Sequence, residues 1–445
     1  MLMAPLENKL VILLLPWPIK NIICLTVLQS SRMNYEFTEE QKQFRQEWRQ
    51  YLEDNLPDGW ISGEQHRLRP ESEEERWEFR VDWQQQLYED GWAGPNWPEE
   101  YGGMGLSAVE KMIYDHERLR AMTPEGAAVL GESLVGPTLI HEGSEWQKER
   151  FLPNILNAEE TWSQGYSEPD HGSDIAGLEC SAERHGDEFL INGQKIWNSG
   201  GYHADLCLLM TRTDMSGTKH EGVTALIVDM TQDGVEKERI HQIDDNKEFS
   251  QVWFDDAVAP EKHIVGEEDE GWSIIRTMSA FEQAWTRAFN AERRFNEIIQ
   301  YMQNNKRNGK SMSEDTGTRR ELAELDMRIQ ATKLTRYRQI SKRIDDPIPG
   351  PEGSLDVIKG DELAIDVEEF GIDMVGPELA LWEDGLDNGE RHKNWLLWNG
   401  LWVGGGTGDI QRNIIAEQVL DLPKDPKSKY SHRRKNDRPN EDLLE

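Results

Sequence analysis

Trp162-Ser163-Gln164-Gly165-Tyr166-Ser167-Glu168-Pro169-Asp170-His171-Gly172-Ser173-Asp174 is the stretch on which the reading of this chain turns. Two hydroxyls, Ser167 and Ser173, flank a rigid Glu168-Pro169 step, and Gly172 directly precedes the second. Proline restricts the backbone, glycine permits close approach, and the hydroxyls offer short hydrogen bonds to polar ligand atoms. Such a run suits a loop that meets a ligand, and taken alone it equally suits a polar surface turn. Its position narrows the choice, because helical spacing precedes it and strand spacing follows.

From Tyr35 to about Asn157 the pattern predicts helices. Phe37, Phe44, Trp48 and Leu52 recur near helical spacing, Thr38 is a candidate cap, and Pro57-Asp58-Gly59 is a stop. The turn-rich stretch Gly91 to Gly105 reads as a tight connection, since no strand leads in and no Lys-Ser/Thr follows as a phosphate loop requires. Between about 158 and 265 strands are expected at Glu188–Ile191, Leu206–Met210, Val223–Val228 and Gln251–Phe254, with Asn192-Gly193 as a hairpin signal. After Gly271, Ile274, Met278, Phe281, Trp285 and Phe289 line one helical stripe, and Leu322, Leu325, Ile329 and Leu334 suggest a second helix. Asp345 to Pro351 reads as a linker. One further helix ends near Val403, and another opens at Thr407 after Gly404-Gly405-Gly406.

The expected class is α+β: a helical domain over 33–157, a middle β-barrel-like domain over 158–265 and a C-terminal four-helix bundle over 266–423. Residues 424–445 form a charged tail expected to be disordered. Residues 1–32 carry apolar runs at Leu10–Leu15 and Ile22–Leu28, broken by Pro16 and Pro18 and too short to span a bilayer. Met33 is expected to be the natural start, with 1–32 mispredicted or disordered.

The 445 residues, 37% apolar with 17 Trp, are consistent with a large folded core. The 84 acidic against 49 basic residues give a charge of −35, a field that argues against nucleic acid and anionic membrane as partners. Cys24, Cys180 and Cys207 are too few and too dispersed for a disulfide framework, so a reducing, cytoplasmic location is expected. His141, His171, His203, His220 and His241 show no metal-ligand spacing, and no metal is expected.

Five ordered motifs resemble the acyl-CoA dehydrogenase family across most of residues 35–423. They are the Trp162–Asp174 loop, Asn192-Gly193-Gln194-Lys195-Ile196-Trp197-Asn198-Ser199, the Gly405–Glu417 segment, and the weaker Trp97–Gly103 and Glu142–Pro153 stretches. The resemblance implies FAD as cofactor, an acyl-CoA thioester as substrate and an electron-transfer flavoprotein as acceptor. It implies α-proton abstraction by a carboxylate and hydride delivery to flavin N5, yielding the 2-enoyl-CoA. Ser167 would bond the flavin pyrimidine, Trp197 would lie against the ring system, and Ser199 would approach its N5/O4 edge. Gln164 and Tyr166 would support the loop and touch flavin, Thr407 belongs to the C-terminal signature at the cofactor, and Ser173 would face the pantetheine arm. Read without the resemblance, Trp197 is a core aromatic at a strand end and Ser199 a turn serine.

The family places its base either on the C-terminal loop or on the first helix of the second helical half. The loop position here is Gly405, which carries no acid. Counting eleven residues on from Gly271 reaches Glu282, the alternative position, and helical geometry independently puts Glu282 at the border of the Ile274/Met278/Phe281 stripe. Arg276, Arg287, Arg293, Arg294 and Arg412 lie near these elements, leaving open which one meets a CoA phosphate.

Two family elements that hold the nucleotide half of FAD are altered. The arginine and phenylalanine of one are Asn305 and Asn308, and a glycine-rich stretch reads Val375-Gly376-Pro377-Glu378. With Gly405, the Trp162-x-Gln164-Gly165-Tyr166-Ser167-Glu168-Pro169 variant and Glu352–Lys359, this resembles the branch that forms heterotetramers with a smaller related subunit, as in enzymes handling steroid side-chain or dicarboxylic acyl-CoAs. Three readings stay open: a catalytic dehydrogenase with Glu282 as base, a non-catalytic binding subunit, and a flavin oxidase or monooxygenase on the same scaffold.

Overall fold

A computed structural model describes residues 36–61, 68–70, 72–282, 287–307, 309–342, 350–376 and 390–423. Residues 36–43 open the first helix, α1 (Glu39–Asn55), with a reciprocal cap. Thr38 Oγ1 accepts the Gln41 N–H at 3.3 Å, and the Gln41 side-chain oxygen accepts the Thr38 N–H at 3.0 Å.

Beyond Gln43 the helices α2 (Glu73–Glu89), α3 (Ala108–Ala121), α4 (Gly136–Glu142) and α5 (Glu145–Leu156) continue the pattern. Three of them start at capping boxes: Ser72 with Glu75, Ser107 with Glu110, and Ser144 with Gln147. Trp48 anchors this layer, fully buried and stacked on Tyr114 at 4.5 Å, with its indole N–H donated to the Tyr114 carbonyl at 3.1 Å. The Gly91–Gly105 stretch is the expected tight connection. It folds back on itself through Met104 N–H to the Gly94 carbonyl, and Trp97 pins it by donating to the Glu132 carbonyl at 2.7 Å.

Eight strands follow: β1 (Trp162–Gly165), β2 (Ser181–His185), β3 (Glu188–Ser199), β4 (Leu206–Arg212), β5 (Val223–Asp229), β6 (Val235–Arg239), β7 (Phe249–Pro260) and β8 (Ile264–Val265). They form one sheet in the order β6-β7-β3-β2-β4-β5-β8, with β1 added parallel to β4. Inward residues of five strands, among them Phe189, Leu209, Leu226 and Val252, share one core. The sheet therefore curls around its own side chains.

Asn192-Gly193 is not the hairpin turn. That turn is Gly186-Asp187, between β2 and β3, while Asn192-Gly193 sits at a bulge inside β3 where the pairing with β7 slips. A Cβ on Gly193 would stand 2.7 Å from the Cys180 Cα, so glycine serves close strand approach here.

The C-terminal half comprises α6 (Gly271–Glu282), α7 (Arg287–Asn304), the small β9 (Lys306–Arg307) and β10 (Lys310–Ser311), α8 (Thr316–Lys342), α9 (Gly353–Val375), α10 (Glu390–Leu401) and α11 (Gly408–Ile414). Ile274, Met278 and Phe281 are buried on α6, Phe289 is buried on α7, and Trp285 lies outside the described residues. Leu325 and Ile329 face the core on α8, whereas Leu334, expected on the same stripe, is exposed. The most enclosed helix, α9, was missed by periodicity because its buried face carries Asp356, Asp361 and Glu368 among the apolar residues. Residues 345–349 of the expected Asp345–Pro351 linker, residues 424–445 of the tail and residues 1–35 lie outside the described residues. Among the described residues no helix is long and apolar enough to cross a membrane.

Candidate active site

The loop after β1 is fastened to β3 on its inner side. The Ser167 carbonyl accepts the Ile196 N–H at 2.9 Å, and Lys195 Nζ donates to the Tyr166 carbonyl at 3.1 Å and to Glu168 Oε1 at 2.8 Å. Glu168 also accepts the backbone N–H groups of Glu179 at 2.7 Å and Cys180 at 2.9 Å. Its own backbone exchanges two 3.0 Å bonds with His171 across Pro169-Asp170. The far side is held by buried Arg212, whose guanidinium donates to the carbonyls of Ala176, Leu178, Lys219 and Glu221. Neither Lys195 nor Arg212 stands out in the sequence, where each reads as an ordinary strand charge.

Trp197 occupies the left-handed region at φ +64°, where β3 slips a second time against β7. A large aromatic residue rarely takes that conformation without compensation. Its indole is 54% exposed and edge-on to Phe249 at 5.9 Å, so it is not the strand-end core aromatic that the sequence also allowed. Ser199 pairs with Phe249 in the ladder, directly before the Gly200 turn.

Around this face several buried polar atoms lack hydrogen-bond partners among the described residues: Trp162 Nε1, Gln164 Oε1, Tyr166 Oη, Asn198 Oδ1 and Ser250 Oγ. Asn198 and Ser250 are directly paired across β3 and β7, and the Asn198 amide donates to the Gln164 carbonyl at 2.9 Å. Buried polar atoms normally find partners, so such a cluster marks where a ligand with a polar edge is received.

Glu282 ends the described part of α6, partly buried, and its neighbour Phe281 shares one core cluster with Tyr166 and Trp162. Burial first, and then the charge of Glu282, push the Tyr166 phenol well above its ordinary pKa. The structure thus fastens the β1 end and loop that carry Gln164, Tyr166 and Ser167 to the β3 end that carries Trp197 and Ser199, and it places Glu282 at the end of α6. Ser173 lies exposed on the outer end of the loop. Thr407 is the N-cap of α11, its Oγ1 accepting the Ile410 N–H at 3.3 Å. Arg293 pairs with Glu297, Arg294 with Glu368 and Arg412 with Asp409 and Glu362, while Arg276 is exposed on α6. A cavity of about 360 Å³ lined by Trp146, Arg184, Lys262 and Glu268 contains none of these residues.

Sequence profiles of the acyl-CoA dehydrogenase N-terminal, middle and C-terminal domains match residues 38–159, 163–257 and 269–420. The chain belongs to the acyl-CoA dehydrogenase family. The acyl-CoA dehydrogenase IpdE1 of Mycolicibacterium smegmatis is 33% identical over 412 residues, covering 87% of this chain and 99% of the relative. Among solved structures, the ChsE4–ChsE5 complex from Mycobacterium tuberculosis superposes with a TM-score of 0.77 at 28% identity, covering 88% of this chain and 100% of the other. The Tcur3481-Tcur3483 steroid ACAD gives 0.78 at 27%, with the same coverage.

As an acyl-CoA dehydrogenase this chain is an oxidoreductase that takes FAD. Its own residues fit the cofactor: the unpartnered atoms of Gln164, Tyr166 and Asn198 offer hydrogen bonds, and Trp197 presents an open aromatic face.

Proposed function

We propose that this chain dehydrogenates an acyl-CoA thioester across its α,β-bond to the 2-enoyl-CoA, with Glu282 as the base that takes the α-proton. The observation that carries this reading is the place of Glu282 at the end of α6, directly after Phe281, which shares a core cluster with Trp162 and Tyr166. Gly405, at the other place where the family puts its base, has no group that can accept a proton. FAD, when bound, supplies the acceptor for the hydride that leaves the β-carbon. Ser167 and Ser199 orient that acceptor, Trp197 covers it from water, and Ser173 meets the pantetheine arm at the rim. Thr407, at the C-terminal signature, supports the cofactor from α11. The α-hydrogen is weakly acidic, so the site must hold the thioester oxygen by hydrogen bonds while Glu282 removes the proton.

Anaerobic titration of the FAD-loaded chain with acyl-CoAs tests the assignment. Glu282→Gln is expected to keep FAD and lose substrate-dependent bleaching; undiminished bleaching in that variant sinks the base. Rapid reoxidation of the bleached protein by air would favour an oxidase over transfer to an electron-transfer flavoprotein.

A second reading concerns the assembly. Asn305 stands where the family carries the arginine that reaches a neighbour's FAD, and the two similar structures above are each named for a pair of components. We propose that an unlike, related subunit completes the nucleotide end of the site, and that the substrate is a bulky acyl-CoA of the steroid side-chain kind. Co-expression with candidate neighbours followed by size-exclusion chromatography tests this. A homotetramer with one FAD per chain would remove the need for a partner.

A further inference from the structure

The β4–β5 hairpin ties the rim of the Trp162–Asp174 loop to the start of α6. Lys219 Nζ is ion-paired with Asp174, one residue beyond Ser173. The adjacent His220 ring meets Trp272 of α6 edge-on at 4.6 Å. Arg276 follows Trp272 by one turn on the same face and is exposed. Three side chains that can donate to an anion thus come from two elements to one edge, in a chain whose net charge of −35 otherwise repels anions.

The hairpin tip is built to hold them. Buried Arg212 donates to the carbonyls of Lys219 at 3.1 Å and Glu221 at 2.6 Å, fixing the backbone on both sides of His220. The neighbouring acids are committed to the turn itself: Asp214 accepts from Ser216, Glu221 from the Thr218 N–H and Asp269 from the Thr213 hydroxyl. Asp174, the partner of Lys219, has a side chain 58% exposed, and a pair so open to water holds weakly. A phosphate group, with more charge and more acceptor oxygens, competes for the lysine.

Position along α6 says which phosphate. Trp272 and Glu282 stand at opposite ends of that helix, about 15 Å apart at its rise per residue. That is the reach of an extended pantetheine arm from thioester to diphosphate, whereas the 3′-phosphate lies farther out on the ribose.

We propose that Lys219, with His220 and Arg276 beside it, receives the diphosphate of the acyl-CoA, and that Lys219 makes the site select CoA over shorter thioesters. This rests on the acyl-CoA reading above and adds the residue that recognises the carrier.

Wild type, Lys219→Gln and Lys219→Arg are compared as full-length, FAD-loaded proteins, with one acyl group carried on CoA, on 3′-dephospho-CoA and on pantetheine. Anaerobic flavin reduction against thioester concentration gives the selectivity. In Lys219→Gln the preference for acyl-CoA over acyl-pantetheine is expected to fall about tenfold, as loss of one charge-assisted bond implies, and Lys219→Arg is expected to restore most of it. Acyl-3′-dephospho-CoA should follow acyl-CoA, and added salt should narrow the wild-type preference. An unchanged preference in Lys219→Gln overturns the assignment, whether nothing is lost or acyl-pantetheine loses equally; the second result would make Lys219 a prop of the loop. A loss confined to acyl-CoA and absent from its dephospho form overturns the diphosphate and moves the lysine to the 3′-phosphate. A wild type whose flavin none of the three reduces removes the acyl-CoA reading itself, and this assignment with it.

Discussion

Lys195 Nζ lies 2.8 Å from Glu168 Oε1, with the lysine side chain fully buried and that of the glutamate 6% exposed. The pair joins the middle of β3 to the turn of the Trp162–Asp174 loop, and two backbone N–H groups complete the carboxylate. Such a pair is costly to desolvate and holds only when every remaining lone pair is used.

Lys195→Met is accordingly expected to destabilise the protein by about 3–5 kcal/mol, because it leaves Glu168 buried without its cation. Lys195→Met with Glu168→Gln should recover much of that loss. Urea denaturation of both variants measures it; an unchanged midpoint in the single variant would mean that the pair carries no load.

Trp197 exposes half of its surface, so Trp197→Ala should leave the stability of the FAD-free protein within about 1 kcal/mol of wild type. FAD affinity should fall about tenfold or more, the equivalent of roughly 1.4 kcal/mol of lost ring contact. Fluorescence titration with FAD distinguishes this from a buried structural tryptophan, whose removal would unfold the chain.

Gly193→Ala places a methyl 2.7 Å from the Cys180 Cα at a backbone φ of +143°. That nearest atom is backbone and cannot yield cheaply. A loss of about 1–3 kcal/mol is expected from overpacking, measurable by thermal or urea unfolding. A two-residue hairpin turn at this position would have tolerated the change far better.

His116 on α3 lies 3.7 Å from Glu117 and 3.8 Å from Glu292 on α7. Arg49 and Arg120 also bind Glu117, and Lys333 binds Glu292, so the imidazole sits in a chain of alternating charges. Glu117 first and then Glu292 raise the His116 pKa above its ordinary value, against the effect of burial. A raised folded-state value means that this contribution is complete below the unfolded pKa of about 6.5 and fades as pH rises through the folded value. The urea midpoint of wild type relative to His116→Gln should therefore shrink on going from about pH 6 to pH 9. A constant difference would contradict the assignment.

The α–β–α order was legible because periods of 3.6 and 2 residues are local properties, and the Thr38 cap lies within three residues of what it caps. Asn192-Gly193 misled because that dipeptide serves both hairpin turns and bulges, and the approach of Cys180, just before β2, makes the difference. The α9 helix stayed hidden because buried acids look like a solvated face. Arg294 and Arg391, which neutralise Glu368 at 3.3 and 3.1 Å, come from elsewhere in the chain. Leu334 fell on the wrong side because α8 is long and spacing alone does not fix which face meets α9.

By itself the sequence determined the order of elements, the constrained loop at 162–174 and the chemistry its side chains can offer, since these depend on neighbours along the chain. Which polar groups leave water was decided only by tertiary structure. Lys195 and Glu168 are 27 residues apart, and Arg391 and Glu368 come from different helices. Burial strengthens such electrostatic contacts, and burial is a property of packing that no stretch of sequence carries alone.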